Sequence, residues 1–224
     1  MDAKEKRRAE LDKQIVERKE DIMDAAIAEF IENGIDNSKI SDIAKRAGVG
    51  AVTVYRYFEN KPKLVVECAT KLWHSEMNSL TPLFYPKNYD ELNGFEKVTQ
   101  ILHTIGSLYE IRPDMLRLLE QFDNYTVREH ISKELLQQYE AAIIDTRVMM
   151  LAAVEAGQKD YSIRSDIDAV LLYTTVIHSL FPLIQKLLLR GDVIISDRDV
   201  DAKTQIALLI DMELSYIRVQ ECAK

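Results

Sequence analysis

Cysteine, glycine and proline are scarce in this chain of 224 residues, which holds 2, 7 and 5 of them. Cys68 and Cys222 stand far apart and outside any CxxC spacing. That excludes a disulfide framework and a thiolate metal centre, and both are expected to be reduced thiols in the cytoplasm. So few glycines and prolines leave little material for turns and favour long helices. No stretch keeps up the period-two alternation of a strand, so the fold class expected is all-α. The opening run "MDAKEKRRAELDKQIVERKED" is charged throughout and lacks the apolar core of a secretory leader. GxSxG, HExxH, P-loop and GxGxxG motifs are missing, so neither catalysis nor a bound cofactor is expected. The four histidines are scattered. His130 and Glu134 stand at i, i+4 with no third ligand nearby, which reads as solvated helix surface and not as a metal site.

What is present is ordinary globular material, 47% hydrophobic and 29% charged. A chain of this length can bury roughly 70% of its unfolded surface without staples. The longest apolar run, "LLYTTVIHSLFPLIQKLLL" over 171–189, contains His178, Pro182, Gln185 and Lys186. A lysine well inside a membrane span is costly, so a helix facing apolar partners on several sides fits better. The formal net charge is -8, unevenly spread. Residues 1–61 carry -1 and residues 62–224 carry -7, yet residues 39–61 carry +3. A small basic island in an acidic chain points to one restricted anion-facing surface.

Ile22, Ala26 and Phe30 recur at helical spacing, with Met23, Ile27 and Ile31 beside them. They predict a helix from about residue 10 or 17 to Asn33, stopped by Gly34. Ser38, give or take one residue, is the expected N-cap of a short helix "SDIAKRAG", and Gly48 its end. A third short helix, "AVTVYRYF", follows the turn, and Pro62 suits the first turn of a fourth. A loop is expected over 81–89, with Pro82 and Pro86 in it. Helices are expected over 92–111, 113–123, 132–156, 166–190 and 200–221, with Gly157 and Gly191 as stops.

On a helix at about 100° per residue, Val54 and Phe58 fall on one side as the buried anchor. Arg56 then points nearly opposite, with Val52 and Thr53 near it and Tyr55 and Tyr57 on the flanks. A guanidinium, a hydroxyl, two phenols and an apolar methyl suit a nucleic-acid groove, because they match phosphate oxygens, guanine edges and thymine methyls. Two short helices joined by a glycine-containing turn and braced by a longer one make a helix-turn-helix, whose second short helix enters the major groove.

"SKISDIAKRAGVGAVTVYRYFENKPKL", preceded by "IMDAAIAEFIENG", resembles the DNA-binding domain of the TetR (tetracycline-repressor-like) family over about residues 20–66. The resemblance implies a ligand-responsive regulator, by family frequency a repressor. It also implies a homodimer that sets two such heads on double-stranded DNA at a palindromic operator. By similarity Thr53, Tyr55 and Tyr57 contact phosphates or bases, Lys61 clamps a phosphate, and Ser41 and Arg56 are further contacts. Many members offer a polar or basic residue where this chain has Gly50, Ala51 and Val52. Readout therefore leans on Arg56, backbone amides, methyl contacts from Ala51 and Val52, and DNA shape.

The division that follows is an arm or helix extension over 1–16, a head over 17–61, and an effector-binding and dimerisation domain over 62–224. The helix at 166–190 is apolar nearly all round. With the one near 200–221 it suits a four-helix bundle made with a second subunit. Trp73, Tyr109, Phe122, Tyr139, Tyr173, His178 and Phe181 are candidates to line a pocket for a small, mainly hydrophobic effector. The helix beginning at Lys61–Pro62 is the expected lever. The rival readings are a docking module that uses the three-helix head to bind protein, and a DNA-binding protein with no ligand.

Overall fold

The computed structural model describes residues 2–190, 193 and 199–219. Among them are nine α-helices and no named strand: α1 Ala3–Asn33, α2 Ile40–Arg46, α3 Ala51–Phe58, α4 Lys61–Phe84, α5 Gly94–Ile111, α6 Pro113–Arg128, α7 Lys133–Lys159, α8 Ala169–Arg190 and α9 Ala202–Ile217. Two compact units form, one of Met1–Ser75 with Leu118–Ala142 and one of Glu76–Arg117 with Ile143–Lys224.

In the first unit the apolar stripe of α1 goes inside as its period requires. Ile22, Met23, Ala26 and Phe30 are buried with Ile40, Ile43 and Ala44 of α2 and with Val54 and Phe58 of α3. Gly34 takes φ +81 and Gly48 φ +66, so α1 and α2 both end where glycine tolerates the left-handed region. Helix α1 begins far earlier than its apolar stripe demands. Its first turns are held by a capping box between Asp2 and Glu5. Ser38 is not the cap of α2; Lys39 holds that position without a side-chain bond. The Ser38 hydroxyl is buried and donates back to the end of α1, at 2.7 Å from the Gly34 carbonyl.

Residues far along the chain complete this unit. Gln121 Oε1 of α6 accepts from the Ile35 amide at 2.9 Å. Arg128 grips the Asp36 carboxylate with both terminal nitrogens, Nη1 at 2.6 Å from Oδ2. The first unit is therefore larger than a head confined to residues 17–61.

The second unit packs α5 against α8 and α9. Its core joins Leu80 and Phe84 of α4, Ile101, Leu102 and Ile105 of α5, Met150 and Val154 of α7, Leu180 and Ile184 of α8, and Ile206 and Ile210 of α9. Burial of Phe84 explains why α4 continues through Pro82 where the sequence predicts a loop. A proline removes its own amide hydrogen bond and crowds the carbonyl four residues back, but beyond it the helical bonding resumes, with Tyr85 N bonding the Thr81 carbonyl at 2.9 Å.

Helix α7 likewise runs past Gly157. That glycine serves close packing: its own Cβ would lie 2.5 Å from the Ile163 side chain, and a Cβ on Gly94 would lie 1.9 Å from Gly157 N, so two helix backbones approach closely there. Antiparallel bridging of Ile163 with Arg218 is the one β-type pairing among the described residues. Gly191, the expected stop of α8, and Cys222 lie outside the described residues.

Candidate nucleic-acid interface

Helix α3 presents the surface that its sequence predicts. Val54 and Phe58 are each 1% exposed, while Val52 is 83% and Tyr55 50% exposed. Arg56 is exposed, and Ala51, Thr53 and Tyr57 are half-buried. The Arg56 guanidinium lies 5.4 Å from the Tyr57 ring centroid, a cation–π contact that orders it without neutralising it. Ser41 is exposed on α2, as are Lys39 and Lys45.

Two cations of the basic island are already engaged. Arg46 pairs with Glu29 at 3.2 Å and Glu32 at 2.5 Å, both on α1. Lys61 Nζ donates to the Asp36 carbonyl at 3.2 Å and lies 5.8 Å from the Tyr125 ring centroid. Burial lowers the pKa of that ammonium, against the pull of Asp36 and Glu129. Clamping a phosphate would require it to leave the carbonyl. Lys63 instead pairs with Glu59 at 2.6 Å.

Sequence reasoning missed a neighbour of α3. Leu11, Gln14, Ile15 and Arg18 of α1 line one hollow together with Val49, Thr53, Arg56 and Tyr57. The signal was the register of residues 7–18, which the apolar stripe of residues 22–31 overshadows.

The seven effector candidates are divided between the two units. Trp73, Phe122 and Tyr139 belong to the first unit, and Tyr109, Tyr173, His178 and Phe181 to the second. Phe122 and Tyr139 stack with ring centroids 4.6 Å apart. Burial, helped by Asp123, pushes the Tyr139 phenol well up. Trp73 is buried, and its indole Nε1 finds no acceptor among the described residues. Tyr109, Tyr173 and Phe181 pack against the second core, whereas His178 is exposed.

On α8 and α9 one side of each helix is buried and the other carries apolar residues outward. Leu171 is 62% exposed, and Leu189, Leu208, Met212 and Tyr216 are exposed to a similar extent. By length and composition α8 alone among the described helices could cross a membrane. Between α8 and α9, Ser179 Oγ lies 2.6 Å from Glu213 Oε1 and 2.9 Å from the Thr175 and Val176 carbonyls. A hydroxyl has one proton, so when Ser179 donates it to its own helix, Glu213 must be the donor between the two. Burial pushes Glu213 up to about 7, which fits a protonated carboxyl, and its Oε2 is buried without a partner among the described residues.

Comparison with known proteins places this geometry. Residues 22–68 match the family model described as bacterial regulatory proteins, tetR family. The fatty acid metabolism regulator protein of Bacillus subtilis (strain 168) is 47% identical over 45 residues, 20% of this chain and 23% of that protein. The regulator AqdR of Rhodococcus erythropolis is 39% identical over 49 residues, 22% of this chain and 24% of that protein. The chain thus matches about a quarter of the length of each. The repressor KstR2 of Rhodococcus jostii (strain RHA1) is 24% identical over 156 residues, covering 70% and 72% of the two chains.

Among solved structures, FadR from Bacillus subtilis in complex with stearoyl-CoA superposes with a TM-score of 0.64 at 19% identity, covering 88% of this chain and 98% of that one. KstR2 of Mycobacterium tuberculosis gives 0.60 at 17%, covering 91% and 96%. Identities this low establish a shared helical fold and nothing about ligands. Residues 22–68 thus match the DNA-binding domain described for the tetR family of bacterial regulatory proteins, and the rest of the chain shares the helical fold of the solved structures.

Proposed function

We propose that the protein is a cytoplasmic, ligand-responsive transcriptional repressor that binds a palindromic operator as a homodimer. The observation that carries the reading is the split on α3: Val54 and Phe58 dock inward and leave Val52, Tyr55 and Arg56 facing out. Arg56 reaches a base edge or phosphate, Val52 and Ala51 offer methyl contacts, and Thr53, Tyr55, Tyr57 and Ser41 bond phosphate oxygens. Lys61 adds a phosphate contact once it exchanges its carbonyl for one. The outward apolar faces of α8 and α9 pair with the same faces of a second copy. Such a pairing also accounts for the membrane-like composition of α8, and a palindromic operator requires of the dimer two recognition helices about 34–36 Å apart.

The effector is a small, mainly hydrophobic molecule. Each unit holds aromatic side chains that suit that class, Trp73, Phe122 and Tyr139 in the first and Tyr109, Tyr173 and Phe181 in the second, and the Trp73 indole Nε1 is buried without a partner among the described residues. Release follows from linkage: the ligand favours a conformation in which the heads no longer match the operator, and about 1–3 kcal/mol of coupling lowers affinity 5–150-fold. Repression agrees with the name of the KstR2 relative.

The test is selection of bound duplexes from a random pool, followed by titration of variants on the selected operator. Arg56→Ala is expected to weaken specific binding by about 1–3 kcal/mol. Lys61→Ala is expected to weaken binding to all sequences alike and reduce the salt slope by about one unit. A pool that yields no enriched palindrome at low salt would sink the reading in favour of a protein-docking head.

A further inference from the structure

We propose that the first turns of α1 form a second DNA-contact strip, in which Arg7, Arg8 and Arg18 hold the phosphate backbone beside the groove entered by α3. The inference rests on the regulator reading above and adds a site to it.

Helical register sorts this charged segment into two unlike faces. At about 100° per residue, with Leu11 as reference, Arg7, Ile15 and Arg18 fall within about 40° and Arg8 within about 60°. Glu5, Glu10, Asp12 and Glu17 all lie about 100–120° away, on the other side. Residues 5–18 are nearly neutral in sum, yet one face of them carries only arginine, glutamine and apolar side chains. The ion pair of Lys13 with Glu17, at 3.6 Å, belongs to the far face. Arg7, Arg8 and Arg18 are exposed, and none of them meets a carboxylate among the described residues.

This face adjoins the recognition helix. Leu11, Ile15 and Arg18 share a hollow with Thr53, Arg56 and Tyr57. A strip that begins at the reading surface and runs outward from it continues an interface for a polyanion. From Arg18 to Arg7 is about 16 Å along the helix, a distance over which one DNA strand presents several phosphates. Leu11 and Ile15, 52% and 50% exposed, sit between the arginines and shield their contacts from water. The strip also supplies positive charge where α2 withholds it by pairing Arg46 with Glu29 and Glu32.

The experiment uses the full chain on its selected operator and compares two double variants, R7A/R8A and K6A/K13A. Each removes two positive charges from the same exposed stretch of α1, but only the first removes them from the proposed face. Anisotropy titrations between about 50 and 200 mM salt read the slope of log affinity against log salt. R7A/R8A is expected to lower that slope by about 1.8 per protomer and to shorten the protected footprint at its outer ends. K6A/K13A is expected to change the slope by less than half as much, and R7K/R8K to restore it. Helicity by circular dichroism checks that each variant keeps α1. Equal effects of the two double variants, or no effect of R7A/R8A on DNA that the unmodified chain binds, would overturn the strip alone. An unmodified chain that retains no duplex would overturn the regulator reading and the strip together. A change in dimerisation with unaltered DNA binding would mark the face as a contact between copies and overturn the proposal as well.

Discussion

Val52 and Val54 are the same side chain two residues apart on one helix, 83% and 1% exposed. Cutting each to alanine separates the two faces of α3 with identical chemistry. At position 54 the change deletes two buried methyl groups. At about 0.8 kcal/mol for each, with a further contribution from the cavity, the loss is roughly 2 kcal/mol. At position 52 no buried area is lost, and the better helix propensity of alanine offsets whatever contact disappears, so stability stays within about 0.5 kcal/mol. Urea unfolding followed by circular dichroism should therefore shift its midpoint by about 1 M for Val54→Ala and hardly at all for Val52→Ala, taking a slope near 2 kcal/mol/M. Operator binding should show the reverse order: Val52→Ala weakens it, while Val54→Ala binds nearly normally below its unfolding transition. If Val52→Ala destabilised the fold as much as Val54→Ala, the inward and outward faces of the recognition helix would be wrongly assigned, and every DNA contact proposed above would fall with them.

Three other outcomes follow from the geometry. Gly94→Ala forces a methyl against the Gly157 backbone, which cannot rotate away as a side chain would, so a loss of at least about 1–3 kcal/mol is expected in a chemical denaturation series. Glu213 holds a proton in the folded chain up to about pH 7 that the unfolded chain releases near its ordinary value of 4.5. Its contribution to stability is therefore complete below the lower value and is lost as pH rises toward the upper one; Glu213→Gln should flatten the fall of the unfolding midpoint between about pH 4.5 and 7. Leu208→Asp sets a charge on the outward face of α9 without touching the core, so sedimentation should show a shift toward monomer while helicity is kept.

Local periodicity carried most of the legible structure. The 3.6-residue recurrence of Ile22, Ala26 and Phe30, and the i, i+4 pair Val54 and Phe58, reported burial directly because each faces one core. Punctuation was less reliable. Pro82 and Gly157 look like stops in sequence, but Phe84 is buried beyond the first, and a Cβ on Gly157 would meet the Ile163 side chain at 2.5 Å. Ser38 has the right chemistry for a cap, yet the nearer acceptors at the end of α1 take its hydroxyl. Which cations of the basic island stay free was not legible either. The carboxylates that engage Arg46 come from residues 14 and 17 positions earlier, and the Lys61 acceptor is a backbone carbonyl that no pattern of side chains announces. The effector candidates were chosen by residue type, which does not say whether aromatics share a cavity, and the chain distributes them between its two units.

The clasp that Gln121 and Arg128 place on the bend between α1 and α2 bears on how this protein can be dissected. A fragment cut after the sequence match ends, or after residue 75, would keep every side chain proposed to face DNA and yet lose the support under Ile35 and Asp36. Such a fragment should be less stable than the intact chain, and grafting the reading head onto another partner would call for residues 118–142 to travel with it.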